Sequence, residues 1–318
     1  MEIKRLEDIK EPPVRTVLTI GNFDGVHIGH QKIIKEVVSS AKRLKGTPVV
    51  MTFDPHPLRY LQPEKEFYLL TLCDEKAKII EKLGVQILLC VKFDQSFASL
   101  EPEEFIKKIL VDKLAIKEII IGKDYRFGKA KKGDVNLLKR EGKKYGFKVE
   151  VVNPVKIKGE IVSSSIIRSL IKKGEIKKVI DFLGRPYSIE GTVVRGTGRG
   201  STILGFPTAN ILSGAELIPK EGVYVVKVEI EEPFVGKKKK EDRLFNGVMN
   251  IGTNPTFGNQ DLSLEVHILD FNEDILHKFI KVYFIERLRN EKKFASPDAL
   301  KRAIKKDIEK ARLLLRPN

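Results

Sequence analysis

Two histidines near the start of the chain are of a type and spacing that could act on phosphate groups. His27 and His30 stand three residues apart in GNFDGVHIGH, residues 21–30, directly before a segment with helical periodicity. At the start of a helix, unpaired N–H groups and the positive end of the helix dipole favour phosphate. There the two imidazoles could stabilise charge that develops in a transition state.

The same stretch allows two other interpretations. A pair of histidines could bind zinc, although the sequence offers no cysteine cluster or further histidine pair as partner. The stretch could also be a polar turn without chemistry. A Walker-type phosphate loop is excluded, because no glycine loop ends in G-K-[ST]. Gly21, Gly25 and Gly29 would let a ligand approach the backbone closely.

A second candidate for phosphate chemistry lies in GTVVRGTGRGSTILGFPTANI, residues 191–211, where five glycines precede PTAN. The dinucleotide-binding fingerprint of Rossmann folds must lead into a helix. This stretch leads into Pro207 and a β-type run, so it does not fit that fingerprint. A glycine loop that covers phosphates beside a barrel fits, and a mobile loop without a ligand is the alternative. Further on, Glu265 alternates with Leu264 and Val266 on a strand, which by itself is also typical of a solvent-facing residue.

The first part of the chain, to about residue 180, alternates strand-like and helix-like segments. Buried parallel strands with helices on both faces give this pattern, so the sequence predicts a doubly wound α/β domain. Asp74 is the predicted N-cap of a helix that stops at Gly84, and LEPEEFIKKIL (100–110) reads as another helix. Residues 21–30 leave the first strand, at the sheet edge where such folds bind ligands. The predicted strands are TVLTI (16–20), PVVMTF (48–53), QILLCV (86–91), EIIIG (118–122) and KVEVV (148–152).

The pattern changes near DFLGRPYSIEG, residues 181–191. β-type runs separated by turn residues follow, and they predict an antiparallel barrel or sandwich. Ser296 as N-cap and Pro297 at the first helical position predict a C-terminal helix. The run KKKK (237–240) is expected at a hairpin tip. We therefore expect two domains, residues 1–182 and residues 183–318.

Composition narrows the class of protein without deciding its function. The chain of 318 residues carries a net charge of +16, which favours polyanionic partners, but its lysines are spread over predicted helix surfaces. No apolar run is long enough to span a membrane, and the N-terminus lacks the apolar centre of a signal peptide. Cys73 and Cys90 are too few for a disulfide framework and are expected to be ordinary small hydrophobes. A cytoplasmic location is the expectation.

Taken together, the motifs resemble a known family. HIGH resembles the motif of the adenylyl-transferring nucleotidyltransferase superfamily. With TFDPHP (52–57), GKDYRFG (122–128) and VSSSIIRSLI (162–171), it follows the order seen in prokaryotic FAD synthetases, the bifunctional riboflavin kinase/FMN adenylyltransferases. The second half resembles riboflavin kinases, so the resemblance covers essentially the whole chain. The segments that carry this second resemblance are GFPTAN (205–210), GVY (222–224), NIGTNPTF (250–257), LEVHILDF (264–271) and ERLRNEKKF (286–294).

For the first domain, the resemblance implies that His27, His30 and Arg168 act on the ATP phosphates while FMN attacks the α-phosphorus. Serine hydroxyls at a helix N-terminus and a guanidinium one turn later suit phosphate. Phe53 could equally belong to the core, and DPHP could be only a rigid turn. The implied ATP-binding residues are Gly21, Asn22, Phe23, Asp24, Gly29, Ser163, Ser164 and Ser165, and the implied flavin-binding residues are Phe53, Pro55, His56, Asp124 and Phe127.

For the second domain, the resemblance implies that Thr208 and Asn210 hold Mg²⁺ with ATP and that Glu265 is the base on the riboflavin 5′-hydroxyl. Glu265 and Arg287 would contact the flavin. Gly198-Arg199 and Gly200-Ser201 offer two alignments to the family, so the role of Arg199 as a phosphate contact stays open. The other implied ATP-binding residues are Gly196, Gly198, Gly200, Gly205 and Pro207.

The resemblance implies an enzyme with two successive ATP-dependent steps, from riboflavin to FMN and from FMN to FAD. Its partners would be riboflavin, FMN, FAD and ATP, with no nucleic acid and no membrane, in a monomer or weak homo-oligomer. A nucleotidyltransferase of other specificity is an alternative, but it would give no function to the second domain, which carries the PTAN motif. A basic RNA- or membrane-surface-binding protein with a degenerate nucleotide fold is supported only by the net charge.

Overall fold

The computed structural model describes residues 1–196, 205–231, 243–253 and 262–316, together with two short strands, Phe234–Val235 and Lys238–Lys239. The chain forms two compact units, Met1–Ser164 and Ser165–Asn318. The sequence-based domain boundary after residue 182 lies further along the chain and stays a prediction.

The first unit is built on a six-stranded sheet in which every pair of neighbours is parallel. Its order is β1-β4-β3-β2-β5-β6, so the chain leaves β2 in one direction and later returns to its other side as β5. Ligands bind at the carboxyl ends of strands beside such a switch point. The strands are β1 (Glu2–Lys4), β2 (Val17–Ile20), β3 (Pro48–Asp54), β4 (Ile87–Lys92), β5 (Glu118–Gly122) and β6 (Lys148–Val152).

Helices cover both faces of this sheet, as predicted for a doubly wound domain. Successive strand residues face opposite sides, so Leu18 and Met51 pack on one face while Val17 and Val50 pack on the other. The helices and helical turns are α1 (Ile28–Leu44), α2 (Pro57–Leu61), α3 (Cys73–Lys82), α4 (Gln95–Ala98), α5 (Pro102–Glu104) continued by a π-helical Phe105–Lys113, and α6 (Val135–Tyr145).

The start of α3 differs from the sequence prediction in two ways. Leu72, not Asp74, occupies the N-cap position, and Asp74 lies inside the first turn, where its charge still favours the helix dipole. The two residues before Leu72 are held by hydrogen bonds to Asp24, described below. Cys73 is exposed rather than buried as a small hydrophobe. Gly84, with φ 93°, follows the end of the helix as expected.

The second unit begins with two helices and then forms a closed antiparallel barrel of six strands, which confirms the barrel rather than the sandwich. Its order is β10-β15-β14-β11-β16-β9, with β9 and β10 closing the ring. The helices are α7 (Ser164–Lys173) and α8 (Ile176–Leu183), and the barrel strands are β9 (Tyr187–Val194), β10 (Ala209–Ser213), β11 (Gly222–Ile230), β14 (Arg243–Thr253), β15 (Leu262–Ile268) and β16 (Phe279–Arg289).

A C-terminal helix, α9 (Pro297–Leu314), packs on the outside of the barrel. Ser296 caps it through a hydrogen bond from Ala299 N to its hydroxyl at 3.2 Å, as the sequence predicted. Ala311 joins Val223, Val225 and Val248 in the apolar cluster between helix and barrel. Two small hairpins complete the described strands: β7 (Lys156–Ile157) with β8 (Glu160–Ile161), and β12 (Phe234–Val235) with β13 (Lys238–Lys239). Lys237 and Lys240 of the lysine run lie outside the described residues.

Candidate functional site

The corner between β2 and α1 has an unusual backbone. Phe23 has φ 48° and Val26 has φ 38°, in the left-handed region that costs a bulky side chain about 1–3 kcal/mol. Between them Gly25 takes φ 78°, which glycine adopts without strain. Strain of this kind persists where the surroundings enforce it, as at ligand sites.

The two histidines sit together at this corner. Their rings stack with centroids 3.6 Å apart, and Nδ1 of His27 accepts a hydrogen bond from the backbone N of His30 at 3.3 Å. A neutral His27 therefore carries its proton on Nε2. Gly29 makes room for this arrangement, because a Cβ at that position would lie 3.1 Å from the His27 ring.

His30 is held as a neutral imidazole. Burial, the neighbouring His27 and the positive charge of Lys76 hold its pKa well below the ordinary value. Its Nδ1 is buried without a hydrogen-bond partner, so the favoured tautomer carries the proton on Nε2. Within the described residues, no group of three or more His, Cys, Asp or Glu side chains could hold a metal. The pair is thus better suited to donate hydrogen bonds than to bind zinc.

Residues around the histidines brace the corner. The carboxylate of Asp24, 1% exposed, accepts hydrogen bonds from the backbone N of Leu70 at 2.9 Å and of Thr71 at 3.2 Å. Gly25 N donates to the Thr71 hydroxyl at 3.1 Å, and the Ser164 hydroxyl donates to the carbonyl of Asp24 at 2.9 Å. Asp24 and Ser164, which the resemblance implies as ATP-binding residues, thus hold the backbone of this corner in place.

An apolar cavity of about 580 Å³ opens beside the corner. Gly21, Asn22, Phe53, Asp124 and Phe127 line it. All five come from the carboxyl ends of β2, β3 and β5 or from the loops that follow. The remaining wall includes further apolar and aromatic side chains: Leu58, Leu61, Phe93, Phe97, Phe105 and Tyr125.

Aromatic rings form much of the wall of this cavity, which we call the aromatic slot. Phe53 lies 5.7 Å from Phe93 and 5.5 Å from Phe97 between ring centroids, and Tyr125 stacks on Phe127 at 5.6 Å. Such pairs are each worth about 0.5–1.5 kcal/mol beyond the area they bury. Burial raises the pKa of Tyr125, so its phenol stays neutral. The charged side chains Asp124, Arg126 and Lys131 also line this cavity.

Two of the expected flavin residues lie outside the lining of this cavity. Pro55 follows a cis peptide bond from Asp54. His56 is 7% exposed; it caps α2 by accepting a hydrogen bond from Leu58 N at 3.2 Å, and its ring stacks on Phe67. These positions fit the alternative that DPHP is a rigid turn. Ser163 ends the loop before α7, and Ser165 and Arg168 lie on α7 in the second unit.

Several residues of the slot were missed from the sequence. Phe93 and Phe97 follow β4 in FDQSF, and Tyr125 and Arg126 follow β5. One signal could have found them: the carboxyl ends of neighbouring parallel strands meet at one edge, so aromatic residues directly after β4 and β5 must lie near those after β2 and β3.

In the barrel, the expected kinase residues are brought together by strand pairing. Glu265 on β15 is directly opposite Asn210 on β10 and Asn250 on β14, so the three share one face. One carboxylate oxygen of Glu265 accepts a hydrogen bond from the Ser263 hydroxyl at 2.9 Å. Nδ1 of His267 donates to the carbonyl of Pro207 at 2.7 Å, which fixes the segment that carries Thr208.

Two cavities meet at these residues. One, of about 740 Å³, lies under α9 and is lined by Phe206, Asn250, Arg289 and Glu291 among others. The other, of about 490 Å³, is lined by Gly196, Asn210 and the segment 271–276 among others. Thr208 and Glu265 line both cavities. Ligands bound in the two cavities would therefore meet at these two side chains.

The other residues expected at the kinase site differ in where they lie. Arg287 lines neither cavity: its guanidinium lies over the Tyr224 ring and donates to the Glu221 carbonyl and to Asn290. Arg289, which was not expected, lines the larger cavity and pairs with Asp307 at 2.9 Å. A side chain at Gly196 would collide with the Asn210 carboxamide, and Gly205 takes φ 74°. Gly198, Arg199, Gly200 and Ser201 lie outside the described residues.

The fold and the two sites define a two-part, nucleotide-using transferase: a parallel sheet with a paired-histidine corner, and a barrel with a carboxylate between two cavities. The family model of FAD synthetases matches residues 9–166, and that of riboflavin kinases matches residues 183–315. This chain belongs to the family of bifunctional riboflavin kinase/FMN adenylyltransferases, as the following relatives show.

Relatives bearing that name match over nearly all of the chain. The protein of Buchnera aphidicola from Schizaphis graminum is 39% identical over 96% of each chain. That of Escherichia coli K12 is 37% identical over 98% of this chain and 96% of its own. That of Bacillus subtilis is 37% identical over 95% and 93%, respectively.

The fold is also seen in a crystal structure described as a macrolide-efflux protein from Streptococcus pneumoniae. It is 33% identical, has a TM-score of 0.87, and the match covers 98% of this chain and 99% of that one. Among the residues described in the present structure, no helix is both long and apolar enough to cross a membrane.

Proposed function

We propose that the two units divide flavin cofactor synthesis between them. The barrel transfers the γ-phosphoryl group of ATP to the 5′-hydroxyl of riboflavin and yields FMN. The parallel-sheet unit transfers AMP from a second ATP to the phosphate of FMN, yielding FAD and pyrophosphate. The family supports both activities, and we assign the kinase domain to residues 183–318 and the adenylyltransferase domain to residues 1–182.

One observation supports this assignment of sites: the residues proposed to handle phosphate in the barrel line cavities, and Asn22 of the histidine corner lines a cavity in the first unit. In the barrel, Thr208 and Glu265 stand between two cavities, which suit riboflavin and ATP. In the first unit, the histidine corner meets the aromatic slot at Asn22. A flavin ring in that slot would direct its phosphate towards ATP at the corner.

In the kinase step, Glu265 is placed to accept the proton of the attacking hydroxyl. The oxygen of that hydroxyl then forms a bond to the γ-phosphorus as the bond to ADP breaks. Hydrogen bonding to Ser263 and strand pairing on both sides hold the carboxylate in place. Asn210 and Thr208 lie beside it on the ATP side.

The residues at this point fit Mg²⁺. A hydroxyl, a carboxamide and a carboxylate are the hard oxygen donors that this ion takes, and it usually keeps one or two protein ligands together with phosphates. Thr208 and Asn210 would hold it, with Glu265 nearby. When bound, the ion would neutralise charge on the phosphates during transfer.

In the adenylyl-transfer step, a phosphate oxygen of FMN forms a bond to the α-phosphorus of ATP as the bond to pyrophosphate breaks. His27 and His30 present Nε2 protons to the phosphates and stabilise the charge that develops. Because His30 is neutral, it stabilises this charge by hydrogen bonding rather than as a cation. Ser165 and Arg168 are proposed to complete the phosphate contacts.

Turnover of the purified protein tests the function directly. With riboflavin, Mg²⁺ and ATP, separation of products should show FMN first and FAD later. Formation of neither product would overturn the proposal. A nucleotidyltransferase of other specificity, or an RNA-binding protein, would form neither and is not favoured by the family. We further propose that the enzyme is cytoplasmic and a monomer or weak homo-oligomer.

A further inference from the structure

Lys76 on α3 is buried at the back of the histidine corner. It is 4% exposed and is the only buried lysine in the part of the chain that the structure describes. Its helix neighbours Ala77 and Ile80 pack in one apolar cluster with Phe23 and Val26 of the corner. Lysine is almost never buried without a partner, because removing its charge from water is costly.

The partners of Lys76 are neutral groups of the corner. Its Nζ donates to the backbone carbonyl of Asn22 at 3.2 Å and lies 3.4 Å from the hydroxyl of Thr52. The Thr52 hydroxyl donates to the same carbonyl at 3.1 Å. Among the described residues, no carboxylate lies within ion-pair distance of Lys76. The ammonium group is therefore directed at one backbone carbonyl rather than at an acid.

Holding this carbonyl fixes the peptide group between Asn22 and Phe23. The bond from Asn22 to Phe23 is trans, so the N–H of Phe23 points away from the carbonyl that Lys76 holds. That N–H has no hydrogen-bond partner among the described residues, and Phe23 begins the left-handed turn that leads to His27. Asn22 itself lines the aromatic cavity.

We infer that Lys76 is a positioning residue for adenylyl transfer: it holds the carbonyl of Asn22 and thereby aims the Asn22–Phe23 peptide and the following turn at the ATP phosphates. This inference rests on the proposed assignment of the corner to ATP. Lys76 does not itself line the cavity at the corner. It acts through the backbone and through its charge.

The charge of Lys76 allows a second measurement of its positioning role, through the pKa of His30. It is one of the causes, with burial and His27, that hold the pKa of His30 below its ordinary value. The charge of Lys76 also acts on the thiols of Cys73 and Cys90, which are themselves influenced by Asp54 and, for Cys73, by Asp74. Removing the charge should therefore move the pKa of His30 upwards, which loss of a packing contact alone would not do.

Stability and activity should respond in opposite ways to loss of the lysine. Replacing a buried charge by an apolar side chain of similar length is often neutral or stabilising. Displacing reacting groups by about 1 Å can lower a rate by about 100-fold. A positioning lysine thus predicts a stable variant that is slow in one reaction only.

The test uses the full chain with Lys76→Met and, as matched control, Lys78→Met at an exposed position of the same helix. FAD formation from FMN and ATP should fall about 10- to 100-fold in K76M, while FMN formation from riboflavin in the same chain stays within about two-fold and the Tm does not fall. K78M should match the wild type in all three. FAD formation in K76M within about two-fold of wild type would overturn the inference, as would unfolding of the first unit.

A second variant and a spectroscopic measurement separate the two parts of the role. Lys76→Gln keeps a donor that can reach towards Asn22 but lacks the charge, so its FAD formation should exceed that of K76M. Histidine titration by NMR should show a raised pKa for His30 in both variants; an unchanged pKa would contradict the electrostatic part. His27→Ala tests the site assignment independently: if it leaves FAD formation intact, the assignment fails before the role of Lys76 is in question.

Discussion

Glu265 and Asn210 face each other across neighbouring antiparallel strands of the barrel, and both line the cavity assigned to ATP. The carboxylate that would take a proton and the carboxamide that would bind the metal are thus fixed by backbone hydrogen bonds rather than by a loop. Glu265 also lines the larger cavity, so it alone of the pair reaches the acceptor side. Both residues belong to the barrel, so we expect substitutions of them to affect riboflavin phosphorylation and to spare FAD formation.

Glu265→Gln should abolish most riboflavin phosphorylation. The amide has nearly the same shape but cannot accept the hydroxyl proton, and loss of a general base typically costs about 10²- to 10⁴-fold. FAD formation from supplied FMN should remain at the wild-type rate, because it uses the other unit. Product separation after each reaction gives both rates. Glu309→Gln, at an exposed position of α9, is the control and should change neither; equal FMN rates for E265Q and E309Q would refute the assignment.

His27→Ala should remove FAD formation and spare FMN formation. The variant loses one Nε2 donor and also the Nδ1 acceptor that orients His30, so a loss of at least about 10²-fold is expected. Incubation with riboflavin and ATP should then accumulate FMN without FAD. Normal FAD yield from this variant would show that the corner does not handle the ATP phosphates.

Phe97→Leu should weaken FMN binding more than ATP binding in adenylyl transfer. The substitution keeps an apolar side chain but removes a ring that packs against Phe53 in the slot. We expect the KM for FMN to rise about 3- to 10-fold, from the loss of about 1 kcal/mol of aromatic contact. Tyr145→Leu, outside the cavity, is the matched control. A larger rise in the KM for ATP than for FMN would place the flavin elsewhere.

The stability of the protein should decrease as pH falls below about 6.5, in part through His30. The folded state holds the pKa of His30 well below its ordinary value of 6.5, so the unfolded state binds the proton more readily. Stability therefore rises with pH in this range and is fully present above the unfolded pKa. Melting curves between pH 5 and 8 should show a smaller decrease of Tm at low pH for His30→Gln than for the wild type. Identical pH dependence would contradict a buried neutral His30.

Cys73 should be the reactive one of the two cysteines. A hydrogen bond from Cys90 and the nearby charge of Lys76 lower its pKa to about 7 against the opposing effect of burial, and Cys73 is exposed at the start of α3. At neutral pH about half of it is thiolate, the nucleophilic form. Mass spectrometry after brief iodoacetamide treatment at pH 7 should find the label on Cys73, and Cys90→Ala should slow the labelling. Faster labelling of Cys90 would contradict this.

Much of this molecule is determined locally. All five predicted strands of the first unit occur within one residue at each end, because each is a short apolar run bounded by turn residues, and EIIIG and KVEVV match β5 and β6 at both ends. Ser296 caps its helix as expected because capping depends only on the next three residues. Asp74 does not cap α3: Leu72 has the N-cap position, and the two residues before it are held by a contact distant in sequence, to the carboxylate of Asp24.

The two fold classes, the family and the motifs at both sites could be predicted from short stretches of sequence, because strand and helix periodicity and motifs are local properties. Only the tertiary structure placed Phe97 in the wall of the slot, His56 and Arg287 outside the cavities, and Lys76 behind Asn22. Which side chains converge depends on sheet order, strand register and packing between segments far apart in the chain. The motifs identify the residues that could do the chemistry, whereas the contacts that hold these residues in place come from the fold.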